Sequence, residues 1–200
     1  MIVTIHQPEH FPYLGFFQKM KAADLFVILD NVHYRKNYWV NRNWFTDENQ
    51  NKSFFTVIVE PKATHKDIGE VLVAPENMWK RKLLAKLQSH YKHDFSGIYE
   101  GEKLIEINMK GLEFCREKLN ITVPMVYASS LGVDGAKSDL LVEILKKVNA
   151  TRYISGSFGK EYLDLELFKD QCIEVEFFEP KVNNYHTILE YIFGKDELIF

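Results

Sequence analysis

Polar side chains that can exchange protons follow two short apolar runs near the N terminus. His6 and Gln7 come after residues 2–5, and Asp30 comes after residues 25–29. A histidine can serve as a general base or hydrogen-bond donor, and a carboxylate can accept a proton or bind a hydroxyl group. We therefore take His6, Gln7 and Asp30 as candidate catalytic residues. The alternatives are a histidine that fastens the strand end, and an aspartate that binds magnesium or caps the next turn.

A second histidine, His10, forms a His-x-x-x-His pattern with His6. That spacing presents two metal ligands together only on a helix, and Pro8 and Pro12 exclude a regular helix here. We therefore expect no metal site. We expect replacement of His6 to abolish activity with the fold intact, and replacement of His10 to be mild.

Polar donors alternate with aromatic residues between positions 36 and 43. Arginine and lysine bind phosphate, and aromatic faces stack on rings. We expect this stretch to form one wall of a pocket for an anionic, ring-containing compound, either a nucleotide or a nucleotide sugar. The alternative is a solvated hairpin whose aromatic residues pack on the sheet. The predicted substrate-binding residues are Tyr13, Lys36, Trp39, Asn41, Arg42 and Asn43.

A glycine-containing loop, Ser-Gly-Ser-Phe-Gly-Lys, occupies residues 155–160 between a predicted strand and a predicted helix. Backbone N–H groups at such a position can hold an anion, and an ordinary tight turn is the alternative. We add Ser155, Gly156, Lys160 and Tyr162 to the substrate-binding residues. The loop lacks the Walker pattern, and the absence of a G-x-S-x-G motif argues against a serine hydrolase.

The elements that must position these residues alternate between strands and helices. Parallel strands are predicted near residues 2–6, 25–30, 123–128, 152–155 and 173–178, and helices up to residue 23 and near 79–91, 105–119, 140–148, 162–171 and 185–193. The fold class is therefore α/β, a mostly parallel, Rossmann-like three-layer sheet, with an added antiparallel hairpin near residues 38–60. Since parallel strands share a carboxyl edge, His6, Asp30, Arg42 and Lys160 are expected to converge on one cleft.

Composition restricts the class of protein. The chain has 200 residues, 46% of them hydrophobic, which predicts one globular domain over residues 1–200. The net charge of −3 without a basic block argues against DNA binding. Two cysteines predict no disulfide framework and fit the cytoplasm. We see no signal peptide and no apolar run near the roughly 20 residues of a membrane helix, so we expect no membrane insertion.

The N-terminal motif from His6 to Asn43 resembles the opening of the WbqC-like family. The resemblance continues in the segment at residues 153–163 and, more weakly, at residues 187–194. Tyr13 stands where the family prefers Trp, His10 where it often has Tyr, and Asn31 and His33 replace a commoner acid-and-amide pattern. The matching N-terminal residues are His6, Gln7, Pro8, Phe11, Pro12, Leu14, Gly15, Lys19, Ala23, Asp24, Phe26, Val27, Leu29, Asp30, Val32, Lys36, Trp39, Asn41, Arg42 and Asn43.

The resemblance implies an enzyme of bacterial surface polysaccharide biosynthesis, such as that of the O-antigen of lipopolysaccharide. It would be a transferase that moves an acyl or aminoacyl (glycyl) group to an amino sugar. Its partner would be a small-molecule substrate, a nucleotide sugar or an activated acyl donor, and the cofactor is unknown. The alternatives are a nucleotidyltransferase-like or ATP-dependent activating enzyme that uses magnesium, and a non-catalytic module that binds a nucleotide sugar.

Overall fold

The computed structural model describes residues 1–75 and 78–196. The strands are β1 (Ile2–His6), β2 (Leu25–Ile28), β3 (Arg42–Thr46), β4 (Lys52–Thr56), β5 (Met125–Tyr127), β6 (Arg152–Gly156) and β7 (Glu174–Phe178). The α-helices are α1 (Leu14–Lys21), α2 (Met78–Tyr91), α3 (Leu104–Lys118), α4 (Lys137–Lys147), α5 (Leu165–Asp170) and α6 (Leu189–Ile192). The chain divides into two compact units.

The first unit, here called the sheet unit, comprises Met1–Gln7, Gly15–Asp30 and Thr122–Lys181. Its five strands are all parallel and lie in the order β5-β2-β1-β6-β7. Counted along the chain within this sheet, the order is 3-2-1-4-5, which is that of the first five strands of a doubly wound Rossmann sheet. The predicted α/β class is therefore confirmed.

The centre of this sheet is formed by the most continuously apolar strands. In β2, Phe26, Val27 and Ile28 are fully buried, as expected for a parallel strand covered on both faces. In β1, the hydroxyl of the buried Thr4 donates to the Ile154 carbonyl at 2.8 Å, so this polar side chain is satisfied inside the sheet. The sequence predicted both strands, with β2 ending slightly earlier than expected.

The second unit, here called the hairpin unit, comprises Pro8–Leu14, Asn31–Ile121 and the chain from Val182 onward. Strands β3 and β4 pair antiparallel, which confirms the predicted hairpin. Helix α2 buries Leu83, Leu87 and Tyr91, the face that its four-residue spacing predicted. The core of the unit is strongly aromatic, and its fully buried side chains include Phe11, Phe55 and Tyr99.

The predicted boundaries differ from the observed ones where local turns intervene. The first arm of the hairpin begins at Arg42, because the carbonyl of Tyr38 accepts from the N–H groups of Asn41 and Arg42 in a turn. The residues after β6 form a short 3₁₀ helix, Ser157–Glu161, before α5 begins at Leu165. The last helix is shorter than predicted.

Several other expectations concern the whole chain. Among the described residues, no helix combines the length and apolar character needed to cross a membrane. Both cysteines are free thiols, Cys115 buried and Cys172 exposed. The single domain over residues 1–200 stays a prediction.

Candidate functional site

The sheet unit opens at its carboxyl edge between β1 and β6. The pairing of these strands ends at Thr4 and Ile154, two residues before each strand ends. By contrast, β1 pairs with β2 up to His6 and Ile28, and β6 pairs with β7 up to Gly156 and Phe178, which are the ends of these strands. The strands therefore separate where the strand order reverses direction, which is the place where open α/β sheets bind ligands. We call this opening the β1–β6 crevice.

His6 lies at the end of β1, at the edge of this crevice. Its Nδ1 is 3.1 Å from the Gln7 carbonyl oxygen, and because a carbonyl only accepts, Nδ1 carries the proton and Nε2 carries the lone pair. The ring packs edge-on against Phe16, with 4.8 Å between the centroids. Burial and the charge of Lys19 lower the pKa of His6 to about 3, although the carbonyl of Gln7 favours the protonated form. His6 is therefore a neutral imidazole at physiological pH.

Asp30 follows β2 and is buried, with both carboxylate oxygens engaged. Ser129 donates its N–H to Oδ1 at 2.9 Å and its hydroxyl to Oδ2 at 2.6 Å. Ser129 belongs to the 3₁₀ helix that follows β5. These contacts fasten the 3₁₀ helix after β5 and not the turn that follows Asp30. The catalytic role of Asp30 stays a prediction.

The loop after β6 approaches the crevice from the other side. Ser155 is buried and its hydroxyl donates to the Gly156 carbonyl at 3.2 Å. No described atom lies within 4 Å of the point where a Cβ on Gly156 would stand, so this backbone faces open space. Gly159 has the opposite role, because a Cβ there would collide with the Ser155 hydroxyl. The glycine at 156 can thus admit a ligand, whereas that at 159 allows close packing.

Lys160 and Tyr162 lie further out on the same side of the sheet unit. Lys160 pairs with Glu179 at 3.2 Å, and the two side chains are 53% and 77% exposed. Its ammonium also lies 5.6 Å from the centre of the Phe177 ring. Tyr162 and its neighbour Phe158 are exposed, at 62% and 75%. The loop therefore presents two exposed aromatic rings, Phe158 and Tyr162, and an exposed lysine that forms an ion pair with Glu179.

In the hairpin unit, two predicted binding residues are buried and hold the backbone. Asn43 donates from Nδ2 to the Phe11 carbonyl at 2.7 Å, and its Oδ1 accepts from the N–H of Trp44 at 2.8 Å. Asn41 donates from Nδ2 to the Val57 carbonyl at 3.0 Å. The positive φ of Phe11, 45°, shows why its loop needs such support. The contacts of both asparagines are structural, and their role toward a ligand stays a prediction.

The other predicted residues of the hairpin unit are more accessible. Lys36 is exposed, and Trp39 is partly buried with its carbonyl accepting from the His10 N–H at 2.8 Å. The Arg42 guanidinium lies 4.5 Å from the centre of the Phe54 ring. Tyr13 lies against Tyr185, with 5.3 Å between the ring centroids. Their convergence with His6 and Lys160 on one cleft stays a prediction.

His10, the second histidine of the His-x-x-x-His pattern, is the centre of a buried polar network. It is 1% exposed; Nδ1 donates to Asn108 Oδ1 at 3.0 Å, and Nε2 accepts from the Tyr99 hydroxyl at 2.9 Å. Asn108 Nδ2 in turn donates to the carbonyls of Pro8 and Val40. Burial lowers the pKa of His10 to about 4. Across the described residues, no group of three or more His, Cys, Asp or Glu side chains could hold a metal ion.

Sequence reasoning did not include Lys19 among the site residues. It lies in α1, is only 4% exposed, and its charge acts on His6 within the sheet unit. Lysine is almost never fully buried, so pattern alone gave no reason to place it inside. The available signal was its position in the N-terminal motif, where it matches at a fixed spacing from His6.

Comparison with known proteins agrees with the N-terminal and C-terminal motifs. The model of the WbqC-like protein family matches residues 7–194. The uncharacterized protein Rv1507c of Mycobacterium tuberculosis is 26% identical over 190 residues, which cover 88% of this chain and 81% of that protein. No solved structure matches the chain significantly. The chain belongs to the WbqC-like protein family.

Proposed function

We propose that the sheet unit binds a nucleotide-linked substrate in the β1–β6 crevice. The observation that carries this proposal is the separation of β1 and β6 two residues before their ends, at the reversal of the strand order. The 3-2-1-4-5 order supports a nucleotide in particular, because sheets of this order bind nucleotides at this point. The open space in front of Gly156 supports it further, since it lets a ligand approach the backbone closely.

The reaction we propose is transfer of an acyl or aminoacyl group to an amino sugar in the assembly of a bacterial surface polysaccharide, in the cytoplasm. The amine nitrogen attacks the acyl carbon, a C–N bond forms, the bond to the leaving group breaks, and the nitrogen loses a proton. The Gln7 carbonyl accepts from Nδ1–H of His6, so the lone pair of the neutral ring is on Nε2. His6 is therefore suited to take that proton.

Calorimetry and turnover test the two parts of this proposal separately. We would titrate the protein with UDP-N-acetylglucosamine, ATP with magnesium, and acetyl-coenzyme A, and follow acylation of an amino sugar by mass spectrometry. We expect at least one nucleotide to bind and His6→Ala to abolish turnover while binding persists. His33→Ala is the matched control, because His33 is an exposed histidine of the hairpin unit.

Each outcome distinguishes one alternative. Binding without turnover by any donor would favour a nucleotide-sugar-binding module, and turnover of ATP alone would favour an activating or nucleotidyltransferase-like enzyme. Equal turnover by wild type and His6→Ala would contradict the role of His6. Failure of every nucleotide to bind would refute the crevice as a nucleotide site.

A further inference from the structure

Helix α2 concentrates positive charge on the hairpin unit. Its sequence from Met78 to Tyr91 has no aspartate or glutamate, and its lysine and arginine residues are Lys80, Arg81, Lys82 and Lys86. Strands β3 and β4 also lack acidic residues. This part of the hairpin unit therefore differs from the chain as a whole, whose net charge is −3.

Two lysines of α2 lie beside strand β4. Lys82 and Lys86 are both exposed, and because they are four residues apart they are neighbours on one face of the helix. The ammonium of Lys86 donates to the Phe54 carbonyl at 2.8 Å, which places this face next to β4. Leu83 and Leu87 form the buried face of the same helix, so the two lysines flank that face at the surface.

The hairpin continues the same surface. Side chains two residues apart on a strand share a face, so Lys52 and Phe54 lie on the same side of β4. Phe54 is 40% exposed, and the Arg42 guanidinium lies 4.5 Å from the centre of its ring. The Lys52 ammonium lies 4.5 Å from the centre of the ring of Trp44, which is the cross-strand partner of Phe54. We use the name basic patch for the surface formed by Arg42, Lys52, Phe54, Lys82 and Lys86.

The composition of the basic patch matches an anionic membrane surface. Its four cations attract negatively charged phospholipid headgroups, and clusters of this size are typical of proteins that bind such lipids. The exposed ring of Phe54 lies among these cations, and aromatic rings enter the headgroup region readily. Met78, four residues before Lys82 on the same helix face, adds an apolar side chain that is 59% exposed. Such apolar groups favour lipid over nucleic acid, as does the net charge of −3.

We propose that the basic patch docks the hairpin unit onto the surface of a membrane that contains anionic phospholipids. The cations lie against the headgroup phosphates, while Phe54 and Met78 enter the interface between headgroups and acyl chains. This inference is independent of the proposed function, because the patch belongs to the hairpin unit and the β1–β6 crevice to the sheet unit.

Cosedimentation with phospholipid vesicles tests this proposal. One set of vesicles contains phosphatidylglycerol and phosphatidylethanolamine, and the other contains only phosphatidylcholine, which has no net charge. We expect binding to the first set alone, and we expect added salt to weaken it because salt screens exposed charges. Lys82→Gln/Lys86→Gln should lower the partition coefficient roughly 10- to 30-fold, because each basic residue near an anionic membrane strengthens binding about fivefold. Phe54→Ser should lower it roughly 3- to 10-fold through loss of the apolar contact.

Lys146→Gln/Lys147→Gln is the matched control. These two exposed lysines of α4 belong to the sheet unit, and their replacement removes the same charge. The control should bind the vesicles as wild type does. Equal vesicle binding by the control and by Lys82→Gln/Lys86→Gln would overturn the inference.

A second measurement uses the wild-type protein alone and so does not depend on the folding of a variant. Lipid nanodiscs that carry a spin label on the phosphatidylglycerol headgroup broaden the NMR signals of nearby amides. We expect the amides of residues 52–54 and 82–86 to broaden most. Broadening at other residues, with these signals unaffected, would overturn the inference.

The remaining outcomes separate lipid from other ligands. Binding of single-stranded RNA without binding of either vesicle would overturn the inference and assign the basic patch to nucleic acid, and binding of neither would also overturn it. In calorimetry, Lys82→Gln/Lys86→Gln should bind UDP-N-acetylglucosamine as wild type does. Loss of that affinity in the double variant would place the two lysines in a substrate site and overturn the inference, whereas failure of wild type to bind any nucleotide would refute only the proposed function.

Discussion

Replacement of His10 by alanine should destabilise the hairpin unit severely. The change removes the acceptor of the Tyr99 hydroxyl and the donor to Asn108 Oδ1, in a site that is 1% exposed. It also removes ring contacts with Phe11 and Phe55 at centroid distances of 5.1 and 5.5 Å. Each orphaned buried group costs about 1–3 kcal/mol and the cavity adds to this, so the loss should be roughly 3–6 kcal/mol. That is a large part of the stability of a typical domain.

Urea unfolding followed by circular dichroism at pH 7.5 measures this loss directly. His33→Ala is the control, because His33 pairs with Asp67 at 2.7 Å while its side chain is 79% exposed. An exposed pair contributes less than about 1 kcal/mol. The sequence alone predicted that His10→Ala has a mild effect on activity. A free energy of unfolding for His10→Ala within 1 kcal/mol of wild type, on the scale set by this exposed pair, would refute the reasoning from its network.

Three further changes probe stability and the crevice. Between pH 7 and pH 5 the free energy of unfolding should fall by up to about 2 kcal/mol for each of His6 and His10. In the folded protein their pKa values of about 3 and about 4 keep both rings neutral, whereas the same histidines take up protons in the unfolded chain. Urea midpoints that do not change with pH would contradict this. Gly156→Ala should leave stability unchanged or raise it by about 0.4–1 kcal/mol, yet weaken nucleotide binding. Gly97→Ala, which also meets open space among the described atoms, should leave nucleotide binding unchanged. Equal calorimetric affinities of wild type and Gly156→Ala would argue against ligand approach at Gly156. Asp30→Ala should lower stability by about 1–2 kcal/mol through loss of its cap; a variant as stable as wild type would favour the catalytic role.

The parallel sheet could be predicted because its pattern is local. Buried parallel strands appear as short apolar runs, and a polar residue that ends such a run must lie at the carboxyl edge. His6, Asp30 and Ser155 could therefore be assigned to that edge from the sequence. The partner of Asp30 could not, because Ser129 is 99 residues away along the chain.

The roles of the hairpin residues depended on contacts that no local pattern encodes. Asn43 resembles a binding residue in sequence, but the Phe11 carbonyl, 32 residues away, accepts its amide hydrogen. His10 similarly depends on Asn108, 98 residues away. Lys19 was overlooked for a different reason. Its type predicts exposure, and only the fold shows that it is buried.

The most direct test of the account is a map of backbone amide chemical shifts on addition of UDP-N-acetylglucosamine. If the ligand binds in the β1–β6 crevice, the largest changes should be at Gln7, Gly156 and Ser157, which lie at the ends of the two separating strands. Changes confined to residues 36–43, or no changes at saturating ligand, would contradict the crevice as the substrate site.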